Sequence, residues 1–205
     1  MSTYYARQVA NCFKGRKENL NSLSIKSYLA PVSAREADRG RGTQLNGGHS
    51  ASSHFFVEMF RAKDKAIMSA RLYPDEIYLI LNRLSWIDGA EITDHKVSEK
   101  IVFQALRSLP DRDDDKGNSL CYHIGIVYRG GGMVDVGVSN FRAKLIETED
   151  GSYTPDEKNG LGKDHISVRM KLSELVKKFE AVYVVKRDFE TTHSTKQQLL
   201  MEELS

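Results

Sequence analysis

The chain has 205 residues, of which 40% are apolar and 28% are charged, with 30 Lys and Arg against 28 Asp and Glu. This length fits one large domain, or one domain with an appendage, at roughly 100–200 residues per domain. The composition is typical of a globular protein, which excludes disorder of the whole chain. It names no activity.

The sequence indicates a protein that is not embedded in a membrane. No apolar run approaches the ~18–20 residues of a membrane helix, and no secretory signal pattern is visible in the first residues, so we expect a cytoplasmic location. Cys12 and Cys121 stand far apart, outside any CxxC pattern, which argues against a disulfide framework or a zinc site. We therefore predict no metal and no cofactor.

The near-neutral total charge hides an asymmetry along the chain. Residues 1–53 carry eight cations and three anions, a net charge of +5, which leaves −3 for residues 54–205. Residues 39–53 are rich in Gly, Ser and Asn, which predicts a flexible linker. We therefore divide the chain into a basic, partly flexible N-terminal arm, 1–53, and a single domain, 54–205.

Hydrophobic periodicity predicts the elements of the first half in chain order. Tyr5, Val9, Cys12 and Phe13 recur at helical spacing and predict a short amphipathic helix near residues 3–14 of the arm. Period-two alternation then predicts a β-hairpin, and a proline followed by acidic residues predicts a helix. The hairpin strands run over 54–61 and 68–72, and the helix over about 75–87.

The second half gives a similar mixture of strands and helices. An apolar helical pattern ends at Pro110, and two strictly alternating runs flank the turn Gly130-Gly131-Gly132. A further alternating strand starts at His165, and a β-branched run follows a short helix that Ser173 caps. The predicted spans are a helix over 97–109, strands over 120–128, 134–138, 165–172 and 181–185, and a last helix over 196–204.

These elements predict an α+β fold. Hairpins mixed with helices, without regular alternation of strand and long helix, favour a largely antiparallel sheet with two to four helices, plus the basic arm. No internal repeat is recognisable in the sequence.

Two strand segments carry a histidine pattern that bears on catalysis. His165-Ile166-Ser167-Val168 resembles the motif of the two-histidine phosphodiesterases, in which two strands each present a His and a Ser or Thr as acid–base groups and phosphate ligands. His123-Ile124-Gly125-Ile126 departs from the motif because Gly125 has no hydroxyl. The likeness implies a phosphodiesterase built on His123, His165 and Ser167, and it covers eight residues. The sequence carries no other catalytic signature.

Basic and aromatic residues favour nucleic-acid binding over catalysis. Arg71 and Tyr73 lie on the polar side of one predicted strand, and Arg169 and Lys171 on the polar side of another. If those strands are neighbours, they form a basic and partly aromatic surface, suited to phosphates and unstacked bases. The mobile segment with Arg39 and Arg41 would add phosphate contacts. We therefore predict a protein that binds single-stranded nucleic acid without reading its sequence.

The alternative is a non-enzymatic interaction subunit or inhibitor. An amphipathic N-terminal segment, the terminal Leu199, Leu200, Met201 and Leu204, and the acidic loops at 111–115 and 147–150 support it. Its partner would be a protein with an acidic or nucleic-acid-binding surface. The sequence leaves the oligomeric state open.

Overall fold

The computed structural model describes residues 5–14, 21–29, 54–92, 101–109, 114 and 116–203. Strands and helices account for most of them. The elements in chain order are β1 (Tyr5–Lys14), β2 (Asn21–Leu29), β3 (His54–Arg61), β4 (Ala66–Leu72), α1 (Pro74–Ile92), β5 (Ile101–Leu109), β6 (Ser119–Gly130), β7 (Met133–Ala143), β8 (Leu145–Glu147), β9 (Tyr153–Pro155), a 3₁₀ helix (Glu157–Asn159), β10 (Leu161–Lys171) and α2 (Leu172–Glu203).

Two four-stranded antiparallel sheets form the body of the described structure. The first sheet has the order β1-β2-β3-β4, and the second has the order β5-β6-β7-β10. A helix follows each sheet directly in the chain. The β8–β9 hairpin and the 3₁₀ helix are inserted between β7 and β10 of the second sheet, and we call residues 144–160 the insertion. The predicted α+β class and antiparallel pairing are confirmed, but the described strands form two separate four-stranded sheets where the sequence predicts one, and the described residues contain two α-helices.

Both sheets turn one face towards a common hydrophobic core, and we call this the inner face of each sheet. In β2, β3, β4, β6, β7 and β10, alternate residues are buried there over most of the strand, as strand geometry requires when one face is covered. Each helix adds an apolar stripe at helical spacing. The helical core residues are Ile77, Ile80, Leu84 and Ile87 of α1, and Leu172, Leu175, Val176, Phe179 and Val182 of α2.

The edge strand β10 packs against the first sheet through polar side chains. Asn21 Nδ2 donates to the carbonyl of Ser167 at 3.0 Å, and Arg61 Nη1 donates to the carbonyl of His165 at 3.1 Å. The same guanidinium binds Asp164 at 2.6 Å. These side chains supply partners to an edge strand whose backbone groups would otherwise face solvent.

Most strands follow the predicted alternation. The hairpin β3–β4, helix α1, the hairpin β6–β7 with its glycine turn, and strand β10 are confirmed. Their expected apolar faces are turned inwards, except that Tyr78, which the helical spacing assigns to the apolar face of α1, is 54% exposed.

Two segments predicted as helices are strands. Residues 5–14 form β1, and residues 101–109 form β5. Both strands contain a register shift, between Gln8 and Ala10 in β1 and between Ile101 and Phe103 in β5. A β-bulge places an extra residue in one strand and breaks the period of two. The remaining apolar spacing then imitates the period of a helix, which is why both predictions were wrong.

The predicted strand over 181–185 is also wrong, because these residues lie within the long helix α2. Buried Leu175, Phe179 and Val182 lie four and three residues apart, so one helical stripe continues through the β-branched run. The short helix at Ser173 and the last helix over 196–204 are parts of this single helix, except that Leu204 lies beyond its described end.

The arm contributes strands to the fold. Strand β2 pairs with β3 on the far side of the predicted boundary, and Leu23 and Ile25 of β2 are buried in the core. Residues 30–53, which include the predicted linker, lie outside the described residues, and the division at residue 53 stays a prediction. Neither described helix combines the length and the apolar character that a membrane crossing demands.

Candidate nucleic-acid interface

An aromatic ring lies between two cations on the outer face of the first sheet, which is the face opposite the core. Phe56 of β3 stands opposite Lys26 of β2 and Arg71 of β4 in the strand register. All three alternate with buried residues, so they share the outer face. All three side chains are partly buried, so each keeps some exposed surface.

Neighbouring side chains hold this cross-strand row in place. Arg71 Nη2 lies 3.2 Å from Nδ1 of His54, whose ring meets Phe56 edge-on with centroids 5.3 Å apart. Lys26 Nζ pairs with Glu58 Oε2 at 2.5 Å. The Phe56 ring therefore has a cation on each side, and a neighbouring side chain holds each cation in position.

Tyr73 extends the row beyond the end of β4, where α1 begins. Its backbone N–H donates to Glu76 Oε2 at 2.9 Å, which is half of a capping box. Arg107 of β5 binds both carboxylate oxygens of Glu76, and its guanidinium lies 4.8 Å from the Tyr73 ring centroid. Arg71 lies 5.7 Å from the same centroid. The structure thus brings Arg71 and Tyr73 together and adds Arg107.

A second group of cations lies on the outer face of the second sheet. Arg169 of β10 donates to both oxygens of Asp135, at 2.6 and 2.9 Å, and Arg129 of β6 donates to the same carboxylate at 2.7 Å. The hydrogen bond from Arg169 lowers the pKa of Asp135, and Arg129 adds to the effect. Lys171 is exposed on the same face. Three cations against one carboxylate leave this group, the basic end of the second sheet, positive.

The predicted site residues do not form one continuous sheet surface. Strand β4, with Arg71, belongs to the first sheet, whereas β10, with Arg169 and Lys171, belongs to the second. The condition that these two strands are neighbours is therefore not met. Arg39 and Arg41 lie outside the described residues.

The two histidine motifs do meet on one face. His123 of β6 and His165 of β10 lie on the outer face of the second sheet, with Ser139 of β7 between them in the register. Ser167 lies on the same face, two residues beyond His165.

Sequence reasoning missed the residues that surround those it named. Phe56 was passed over because its neighbours Phe55 and Val57 marked the core face of the same strand. An aromatic residue that falls between two core residues of a strand, and so points to the opposite face, is the signal that could have found it. Arg107 stood in a segment predicted as helix, and Lys26 in the arm, so neither had a predicted position on a sheet.

No protein-family model, curated protein or solved structure matches the chain. Among the residues that the structure describes, no group of three or more His, Cys, Asp and Glu side chains is arranged to hold a metal ion.

Proposed function

We propose that this protein binds single-stranded nucleic acid without reading its sequence, through the outer faces of its two sheets. The observation that carries the proposal is the row of Lys26, Phe56 and Arg71. A base stacks on an exposed aromatic plane, and the phosphates on either side attract cations. The row offers a partly exposed ring with a cation on each side, within three neighbouring strands.

The Tyr73 ring provides a second aromatic surface next to Arg71 and Arg107. Two guanidinium groups lie beside this ring, and the Glu76 carboxylate compensates one of them, so the group keeps one net positive charge where a phosphate would pass. The basic end of the second sheet offers a further phosphate contact through Arg129, Arg169 and Lys171. Arg39 and Arg41 of the arm are expected to add contacts of the same kind.

Titration of labelled single-stranded oligonucleotides at several salt concentrations tests the proposal. Each phosphate contact contributes about −0.7 to the slope of log affinity against log salt for a single strand. Arg71→Gln is therefore expected to weaken binding and to reduce the magnitude of this slope by about that amount. Lys177→Gln changes the same charge on an exposed position of α2 and is the matched control.

Parallel variants separate the three regions. Lys171→Gln tests the second sheet, and the pair Arg39→Gln with Arg41→Gln tests the arm. Point substitutions are preferable to deletion of residues 1–53, because the deletion would remove two paired strands of the first sheet. Absence of binding at low salt, or a slope that Arg71→Gln leaves unchanged, contradicts the proposal.

A protein-interaction subunit is the second candidate, favoured by exposed apolar side chains on α1. Tyr78 and Trp86 lie eight residues apart on its solvent side and are 54% and 59% exposed. Trp86 is the single tryptophan of the chain, so its fluorescence reports on this helix alone. A protein partner on α1 would change that fluorescence, whereas an oligonucleotide on the outer sheet faces is expected to leave it unchanged.

A further inference from the structure

The outer face of the second sheet carries two histidines with a shared geometry. His123, Ser139 and His165 occupy one cross-strand row on β6, β7 and β10. Adjacent strands lie ~4.8 Å apart, so the two histidine Cα atoms are about 10 Å apart with both imidazoles on the same side. That separation leaves room for one small group between the rings.

Two neighbours position the His165 ring. A hydrogen bond joins its Nδ1 to Ser139 Oγ at 2.9 Å. The ring lies on Gly137, since a Cβ there would stand 2.6 Å from Cε1 and 3.2 Å from Nε2. Ser139 is only 6% exposed, so its hydroxyl orients the imidazole rather than meeting a substrate. Nε2 remains as the nitrogen that a ligand can reach.

Beside the two rings, two neighbouring positions of the sheet are glycines and carry no side chain of their own. Gly125 pairs with Gly137, and a Cβ at residue 125 would meet nothing within 4 Å. Gln104 and Ser167 end this row and are both exposed. Because the His165 ring covers Gly137, the open part of this floor lies over Gly125, where the motif's hydroxyl is missing, and Gln104 stands next to it.

The two imidazoles stand in different electrostatic surroundings. Glu157 of the insertion lies 4.0 Å from His123 Nδ1 and also pairs with Lys163 at 2.5 Å. Burial is the main cause that lowers the pKa of His165. The nearby basic groups of His123, Lys163 and Arg61 lower it further, and the carboxylate of Asp164 raises it. The two rings are therefore not equivalent: Glu157 stands beside His123, and burial favours the neutral, basic form of His165.

We propose that this histidine site cleaves single-stranded RNA, with His165 as the general base and His123 as the general acid. Neutral His165 takes the proton of a ribose 2′-hydroxyl through Nε2, and the 2′-oxygen forms a bond to the adjacent phosphorus. The bond from phosphorus to the 5′-oxygen breaks, and protonated His123 gives that oxygen a proton. The products are a 2′,3′-cyclic phosphate and a 5′-hydroxyl, and water restores both protonation states.

The remaining groups of the site suit the charge that develops on the phosphate. Ser167 and Gln104 can donate hydrogen bonds to the non-bridging oxygens, and Lys163 supplies positive charge beside them. Arg169 lies four residues from His165 along β10, about 13 Å away, at the basic end. This inference rests on the proposed function to the extent that bound RNA crosses the second sheet between these points.

Incubation of the full chain with end-labelled RNA, in the presence of EDTA, tests the inference. We expect RNA to be cut, and the matched DNA and 2′-O-methyl RNA to stay intact because they lack the attacking hydroxyl. His123→Ala and His165→Ala are each expected to reduce the rate by about 10²- to 10⁴-fold, the usual contribution of one acid or base. Ser139→Ala, which frees the His165 ring, is expected to lower kcat with little change in KM and to move the acidic limb of the pH profile.

Separate readouts distinguish this inference from the binding proposal. Cleavage of a dinucleoside monophosphate needs only the histidine site, whereas oligonucleotide affinity reports the two faces. Affinity that persists in His165→Ala while cleavage disappears supports both proposals. Cleavage of the dinucleotide without oligonucleotide binding supports this inference alone. Intact RNA with the unaltered protein, equal cleavage of DNA, or full activity in both histidine variants overturns it.

Discussion

At the scale of single residues, two paired glycines of the second sheet have different consequences for His165. A methyl group at residue 137 would collide with the imidazole, whereas one at residue 125 would enter open space. Gly137→Ala must therefore displace the ring from its partly buried position, and Gly125→Ala must not. Burial is the main reason that the pKa of His165 is low.

We predict that Gly137→Ala raises the pKa of His165 towards its ordinary value of about 6.5, because the displaced ring regains solvent. Gly125→Ala is expected to leave this pKa unchanged. An NMR titration of the imidazole Cε1 proton measures both. The sign has a functional consequence, since a lower pKa keeps the base neutral further into the acidic range. An equal response of the two variants would contradict the assigned ring position.

At the scale of elements, the two adjacent phenylalanines of β3 have different expected roles, one in stability and the other in nucleic-acid binding. Phe55 is fully buried on the inner face, and Phe56 lies on the outer face. Phe55→Ala is expected to reduce the free energy of unfolding by about 3–5 kcal/mol, as measured by urea denaturation.

Phe56→Ala is expected to cost clearly less stability but to weaken oligonucleotide binding by roughly 5- to 150-fold, the equivalent of about 1–3 kcal/mol of base stacking. Fluorescence anisotropy measures this loss. If Phe56→Ala retained full affinity while remaining folded, the outer face of the first sheet would not be the stacking surface.

Helix α2 gives a second test at this scale, at the β-branched run that the sequence assigns to a strand. Val184 is 40% exposed within the helix. Val184→Ala is expected to preserve or raise stability by about 0.5 kcal/mol, because alanine has the higher helix propensity. Val184→Pro should cost about 3 kcal/mol or more. A strand would respond to the alanine variant with a loss, so urea denaturation distinguishes the two structures.

The elements that the sequence predicts correctly are those whose periodicity is uninterrupted. Strands β3, β6, β7 and β10 alternate over their central residues, and α1 begins with a proline and two acidic residues. Strands β1 and β5 carry bulges, and a bulge is not visible in a single chain because it is defined by the partner strand. Residues 182–185 are helical because the core contacts along one side of α2 continue beyond them. These contacts override the local strand preference of the β-branched residues.

At the scale of the whole molecule, the shared core makes the two halves dependent on each other. Each half is four antiparallel strands and a helix, yet one cluster joins the inner faces of both sheets and both helices. Separated halves would expose that apolar face to water. We expect residues 1–92 and 101–205, expressed alone, to lack cooperative thermal unfolding, and co-expression to restore it. A half that folds on its own would show that the core is not shared.

The candidate site also depends on the whole molecule, which limits what the sequence predicts of it. Arg71 and Tyr73 are neighbours in the chain, so their proximity was predictable. Arg107 reaches Tyr73 only because β5 lies near the start of α1, and His123 meets His165 only because β7 lies between their strands. Such pairings follow from strand order and register, which no local pattern specifies.

The strand order has a consequence for how the chain reaches its native state. Every strand of both sheets pairs with its predecessor in its own sheet, and only the insertion separates β7 from β10. Such local pairing keeps the sequence separation of contacts small, and small separations favour rapid folding. Strand pairing within each sheet can therefore begin before the two sheets dock, but neither sheet is stable until the shared core closes, so docking is the late step. Mutations at their junction, such as Arg61→Ala, should accelerate unfolding while leaving the folding rate nearly unchanged.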